Sequence, residues 1–354
     1  MPDLNQAKKD AFAGKMASIL NGAALTLMTS VGRQTGLFEV MASLPPSTSE
    51  EIATAAGLNE RYVREWLGAM VTGGIVEFDP SKRQYFLPPE HAAVITNAAG
   101  ARNMARFAQY VPLLAEVESD IIESFRKGGG VPYAKYPRFQ AVQAESSGLR
   151  FDHLLLDKIV PLTGMEDALA RGIEVLDIGC GSGHAVNLLA RAFPRSRFSG
   201  YDISEDGVAA AHAEARALGN ANARFAICDL AALNEPSRYK LITAFDVIHD
   251  QAKPQDVLRE VARALTPDAT FLMVDIRASS ELHENLGHPF APFLYGISTM
   301  HCMTVSLALN GAGLGTVWGE QKALAMLREA GLTRVDVHRL AEDPLNNYYV
   351  ARKA

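Results

Sequence analysis

Apolar residues at helical spacing run through residues 10 to 43 (Phe12, Met16, Ile19, Leu20, Ala23, Leu27, Met28, Val31) and predict a long helical stretch. In "STSEEIATAAG", Thr48 and Glu51 form a capping box and Gly57 stops the helix. A second short helix starts at the cap residue Asn59 and ends at Gly73 and Gly74. Two β runs follow, "IVEF" and "QYFL", joined by the polar turn "DPSKR". Two short helices and a hairpin make a winged helix. Residues 98 to 130 read as helical and end in "KGGG", a hinge. From residue 151 strands alternate with helices. The strands fall at 174–178, 197–202, 223–228, 240–247, 269–275, 333–339 and 346–352. This is an α/β pattern with a doubly wound sheet. "GLTRVDVHRL" and "NNYYVARK" stand too close together for a crossover helix, so they should form an antiparallel hairpin at one sheet edge. The expected division is 1–97, a winged helix; 98–150, a helical linker; and 151–354, the α/β domain.

Composition narrows the class. The chain has 354 residues, 48% hydrophobic and 21% charged, the balance of an ordinary globular protein. A net charge of −6 gives no general attraction to nucleic acid or anionic membrane. Cys180, Cys228 and Cys302 form no CxxC pair, so neither a disulfide framework nor a zinc knuckle is indicated. The N-terminus lacks the apolar core of a signal peptide, and no stretch approaches the roughly 18 apolar residues of a membrane span. A cytoplasmic protein is expected.

The chemistry begins at "EVLDIGCGSGHAVNLLA", an apolar strand, a glycine turn and a helix. Such turns place ligands at a helix N-terminus. Here the glycines are Gly179, Gly181 and Gly183, and His184 stands where a dinucleotide site wants its third glycine. A P-loop is excluded by the absence of Gly-Lys-Ser/Thr. Asp177 lies at the strand end, where it can accept from an ammonium directly or through water. This D-x-G-x-G-x-G pattern resembles the fingerprint of class I S-adenosylmethionine (SAM) methyltransferases. That resemblance implies a seven-stranded Rossmann-like sheet and SAM as co-substrate. It makes Asp202, at the end of "FSGYDIS", a bidentate partner for the ribose hydroxyls. It makes Asp229, in "FAICDL", the acceptor from the adenine amino group, with Leu230 lining the ring. Ile203 and Phe245 complete the expected cofactor set.

"FDVIHDQA" places His249 and Asp250 just past the fourth strand. In dimeric O-methyltransferases with an N-terminal winged helix, a His-Asp pair here supplies the catalytic base. The chain resembles bacterial small-molecule members of that group through "VPYAKYPRF", "HDQA", "HCMTVSLALNGAGLG" and "NNYYV". It departs from the plant phenolic enzymes in carrying Gln251 where they have Trp. A neutral imidazole can take a hydroxyl proton near pH 7, which is the functional reading of His249. With a thiol or thioether acceptor, His249 would orient the substrate instead. Asp250 could orient the ring, although adjacent side chains seldom face each other.

The long segment from Ile276 to Trp318 holds His283, His288, Tyr295, His301 and Cys302 among aromatic residues and methionines. It should roof a small, partly apolar substrate. "HENLGH" is not HExxH, and no metal is expected. Tyr133, Tyr136 and Phe139 could close over the ligands or form an interdomain core. The winged helix raises the alternative of a transcription regulator. Residues 45–95 carry four basic and seven acidic residues, a net of −3, which is unfavourable for phosphate contacts. A dimerisation module, giving a homodimer, is the expected role.

Overall fold

The computed structural model describes residues 4–354. The chain divides into two compact units, one ending at Pro112 and the other beginning at Leu113.

The first unit opens with the helix Gln6–Gln34, and Asn5 accepts the Lys8 N–H as its cap. The apolar pattern to residue 43 is not one helix. Gly36, at φ +74°, starts the separate helix Leu37–Ser43, because a left-handed residue cannot continue a right-handed turn. The helices Ser49–Ala56 and Glu60–Thr72 follow. The Thr48–Glu51 capping box is formed, and Gly57 closes the first of the two at φ +65°. Strands β1 (Glu77–Asp79) and β2 (Gln84–Phe86) make the wing. Leu37, Phe38, Ile52, Val63, Trp66, Leu67 and Met70 form its core. The Trp66 indole donates to the Met28 carbonyl at 2.8 Å, tying the long helix to this core. Much of that helix stays uncovered: Phe12 is 61% exposed and Leu20 is 67% exposed. By length and composition the helix could also cross a membrane. That corrects the expectation that no segment qualifies, since small and apolar residues together reach the needed hydropathy.

The second unit is built on a seven-stranded sheet in the order β5-β4-β3-β6-β7-β9-β8. Its strands are β3 (Glu174–Ile178), β4 (Arg197–Asp202), β5 (Ala223–Ile227), β6 (Tyr239–Phe245), β7 (Leu265–Ile276), β8 (Arg334–Leu340) and β9 (Asp343–Arg352). The first five are mutually parallel, and β9 runs antiparallel to both β7 and β8. The expected edge hairpin is therefore present. Near-continuous apolar runs such as Leu176, Ile178, Ile242, Phe271 and Met273 are buried, as parallel strands covered on both faces require. Strand order reverses between β3 and β6. Ligands of open α/β sheets bind at the carboxyl ends of the strands beside such a reversal.

Candidate active site

The glycine turn stands at that reversal. Gly179, Gly181 and Gly183 have φ of +64°, +53° and +74°, conformations that side chains rarely adopt. The Tyr201 carbonyl accepts from the Gly179 and Cys180 N–H groups at 2.7 and 3.1 Å, which draws the turn against β4. A Cβ on Gly179 would lie 2.5 Å from Val247, and one on Gly183 would lie 2.4 Å from Ala211. A Cβ on Gly181 would meet nothing within 4 Å. Two glycines thus serve packing, while Gly181 faces open space at the turn's crest.

Asp202 sits beside this opening. Its carboxylate accepts the Gly181 N–H at 2.8 Å and the Ser204 N–H at 2.8 Å, one on each oxygen. Each oxygen keeps a further lone pair for a ligand hydroxyl. Ile203, next in the chain, is 73% exposed. Asp229 is exposed, and one of its oxygens accepts the Ala231 N–H. Leu230 is buried in the main core. Phe245 is half-buried, its ring edge-on to Phe151 at 4.9 Å. Asp177 is buried and accepts from the Thr243 hydroxyl at 2.6 Å. The two residues are paired in register on β3 and β6. Burial pushes the Asp177 pKa up to about 7, Thr243 opposes that, and the Asp202 charge adds to it.

The other half of the site gathers around His249. Its ring is buried, and its Nδ1 lies 2.8 Å from Asp275 Oδ1. Asp275 stands near the end of β7, fully buried. When the ring is neutral the carboxylate holds its one proton on Nδ1, so that Nε2 carries the lone pair. Burial works against the charged ring. Asp275, with Cys302, outweighs it and holds the His249 pKa well above 6.5. Asp250 does not orient the ring through its carboxylate. It accepts weakly from Gln251 at 3.5 Å, and burial raises its pKa to about 6.

His301 lies on a π-turn, Ser298–Cys302, a helical irregularity frequent at functional sites. Its ring is stacked on Phe139 at 3.5 Å and 6°. Tyr136 and Tyr133 meet it edge-on at 4.7 and 5.3 Å. Tyr136 also donates to the Met300 carbonyl at 2.5 Å. Three of the six expected substrate residues are thus brought together. The other three are not drawn into this cluster. His283 is exposed, the His288 ring accepts the Phe290 N–H, and Tyr295 accepts from Asn285.

Asp275 and Arg150 were not singled out in the sequence. "FLMVDI", an apolar strand closed by an acid, carried the same signal as "FSGYDIS". Arg150, buried on the helix Phe139–Leu154, donates to Asp246 Oδ2 at 2.7 Å and lies 3.9 Å from Asp343. It thereby fastens that helix beside the end of β6. Asp246 itself takes φ +58°, a strained conformation for a residue with a side chain.

The fold has the layout of a methyltransferase domain with a winged-helix domain before it in the chain. Residues 23–97 match the domain family described as Rv2258c-like winged HTH, and residues 169–331 match a methyltransferase domain family. The chain thus carries a winged HTH domain of that description followed by a methyltransferase domain. The mitomycin 7-O-methyltransferase MmcR superposes with a TM-score of 0.66 at 20% identity, covering 98% of this chain and 100% of that one. Human N-acetylserotonin methyltransferase, solved with SAM, gives 0.65 at 15% identity over 100% and 99%. An O-methyltransferase family protein from Burkholderia thailandensis gives 0.68 at 13% identity over 99% of each chain. A fatty-acid O-methyltransferase from Mycolicibacterium smegmatis is 30% identical over 114 residues, 32% of this chain. That alignment spans 40% of the relative's length.

Proposed function

We propose that the protein methylates a hydroxyl oxygen of a small molecule, with SAM as donor and His249 as general base. The observation that carries this reading is the His249–Asp275 pair at the end of the sheet that also bears the glycine turn. The open space over Gly181 and the spare lone pairs of Asp202 suit a ribose and its chain. Asp229 and Ile203 suit the adenine end, and Asp177, whose Oδ1 accepts from Thr243, keeps its second oxygen for the ligand's ammonium, directly or through water. When bound, SAM supplies an electrophilic methyl on a sulfonium. His249 Nε2 accepts the hydroxyl proton as the O–C bond forms and the S–C bond breaks. Asp275 holds the ring and stabilises the imidazolium that results. Phe139, Tyr133 and Tyr136 provide apolar walls that exclude water. The relatives' names, which specify O-methylation, favour oxygen over sulfur.

The same reading includes a cytoplasmic homodimer joined through the exposed apolar side of the helix Gln6–Gln34, and the three-part division 1–97, 98–150 and 151–354. Incubation with methyl-labelled SAM and a panel of phenols, hydroxy acids, thiols and thioethers tests the reaction. Label in an ether or ester product supports it, and label confined to thioethers or sulfonium products contradicts it.

A further inference from the structure

His301 is fully buried, and neither ring nitrogen has a hydrogen-bond partner. Two neighbours of His249 share this condition. Asp275 Oδ2 is unpaired although Oδ1 holds the His249 ring. The Thr316 hydroxyl is unpaired, and the adjoining Gly315 N–H donates to the His249 carbonyl. Buried polar groups are nearly always satisfied, so a cluster of unsatisfied ones marks a place where something else binds. The His301 ring cannot swing away to find a partner, because Phe139 is stacked on its face and two tyrosine edges flank it. Burial, and then the positive charge of His249, push its pKa down to about 3. The ring is therefore neutral and carries one N–H donor and one acceptor nitrogen.

A single hydroxyl acceptor needs only His249. A second, neutral and immobile donor near it has work to do when the acceptor carries a second oxygen. Resting on the methyl-transfer reading above, we propose that His301 donates a hydrogen bond to a carbonyl oxygen adjacent to the reacting hydroxyl, so that the preferred acceptor is a hydroxyl–carbonyl pair such as a 2-acylphenol. Such a molecule ties its hydroxyl proton to its own carbonyl. Engaging the carbonyl with His301 frees that proton for His249. As the proton leaves, negative charge spreads onto the carbonyl oxygen, where the His301 N–H meets it. A free carboxylate fits less well, because His301 brings no charge and Asp275 and Asp250 would repel an anion.

The test uses the full chain, labelled SAM, and 2- and 4-hydroxyacetophenone as paired probes. Both carry the same carbonyl, but only the 2-isomer places it beside the hydroxyl. The wild type should favour the 2-isomer by about tenfold in kcat/KM, the scale of one hydrogen bond. His301→Phe keeps the stacking on Phe139 and removes both nitrogens, and the isomer ratio should fall to about one. His301→Asn restores a donor and should recover part of the preference. Equal rates in the wild type, a preference that survives His301→Phe, or faster methylation of benzoate or catechol would overturn the proposal. SAM binding without methylation of the 2-isomer would also overturn it. Calorimetry of SAM separates the two readings: absence of SAM binding defeats the methyl-transfer reading itself, whereas intact SAM binding in the His301 variants shows that they are folded.

Discussion

His249 Nδ1 meets Asp275 Oδ1 at 2.8 Å across the adjacent ends of β6 and β7, with both side chains buried. Twenty-six positions separate the two residues, and parallel pairing brings them side by side. The pair fixes both the tautomer and the direction of the ring. Asp275→Asn would turn an amide donor toward Nδ1 and favour the opposite tautomer, placing the proton where the lone pair is needed. It should lower kcat by about 10² or more, within the range of general-base losses, while SAM affinity stays close to wild type. Steady-state kinetics paired with calorimetry decide this. A kcat near wild type would show that Asp275 does not serve the reaction.

The glycines of the turn should divide by role. Gly183→Ala forces a Cβ within 2.4 Å of Ala211 at φ +74°, so it should lower Tm, at a cost of about 1–3 kcal/mol or more. Gly181→Ala meets no atom within 4 Å but still carries backbone strain at φ +53°, so it should lower Tm less than Gly183→Ala and also weaken SAM. Asp202→Ala should weaken SAM by at least about tenfold, since charged hydrogen bonds are lost. Calorimetry and thermal melts of the three variants give the comparison. SAM binding untouched by either Gly181→Ala or Asp202→Ala would remove the ligand from this turn.

His184, first residue of the helix after the turn, lies between two carboxylates. Its Nδ1 is 2.5 Å from Glu214 and its Nε2 is 2.8 Å from Asp152. Glu214 first, then Asp152, raise its pKa to about 9 against a partial penalty from burial. A folded-state value above the ordinary 6.5 means stability that is complete below about pH 6.5 and lost as pH climbs through about 9. The Tm advantage of wild type over His184→Gln should therefore be large near pH 6 and small near pH 10. An equal advantage at both would show that the ring holds its place without its charge.

The uncovered side of the helix Gln6–Gln34 supports association. Phe12 and Leu20 are largely exposed, and exposed apolar patches of this kind mark contact surfaces. The wild type should scatter as the proposed dimer, and Phe12→Glu combined with Leu20→Glu should convert it to monomer. A wild-type monomer, or a dimer that survives both charges, would contradict this part of the account.

Much of this was legible in the chain because its signals are local. The Thr48–Glu51 box and Gly57 bound a helix through neighbouring atoms. The three glycines need only their own backbone angles to be recognised. The edge hairpin followed from the short gap between the last two strands. Gly36, which breaks the first helical stretch, was visible as a glycine but was masked by an apolar period that continues on both sides. Asp275 was hidden for another reason. Its partner is set by strand pairing, whereas Asp250 stood beside His249 in sequence and points elsewhere. The unsatisfied nitrogens of His301 and the Arg150–Asp246 pair exist only after distant segments pack, so no spacing announces them.

The central claim is that His249 accepts a proton during methyl transfer, and its pH profile tests this most directly. With an acceptor found from the labelled-SAM panel, kcat/KM should rise with pH along an arm lying above 6.5, where the Asp275-held ring loses its proton. His249→Ala and His249→Gln should both lose about 10²–10⁴ in kcat and lose that arm, because glutamine keeps a hydrogen bond but no basicity. Substantial recovery by glutamine, or a wild-type arm that persists in both variants, would make His249 an orienting group and place the base elsewhere.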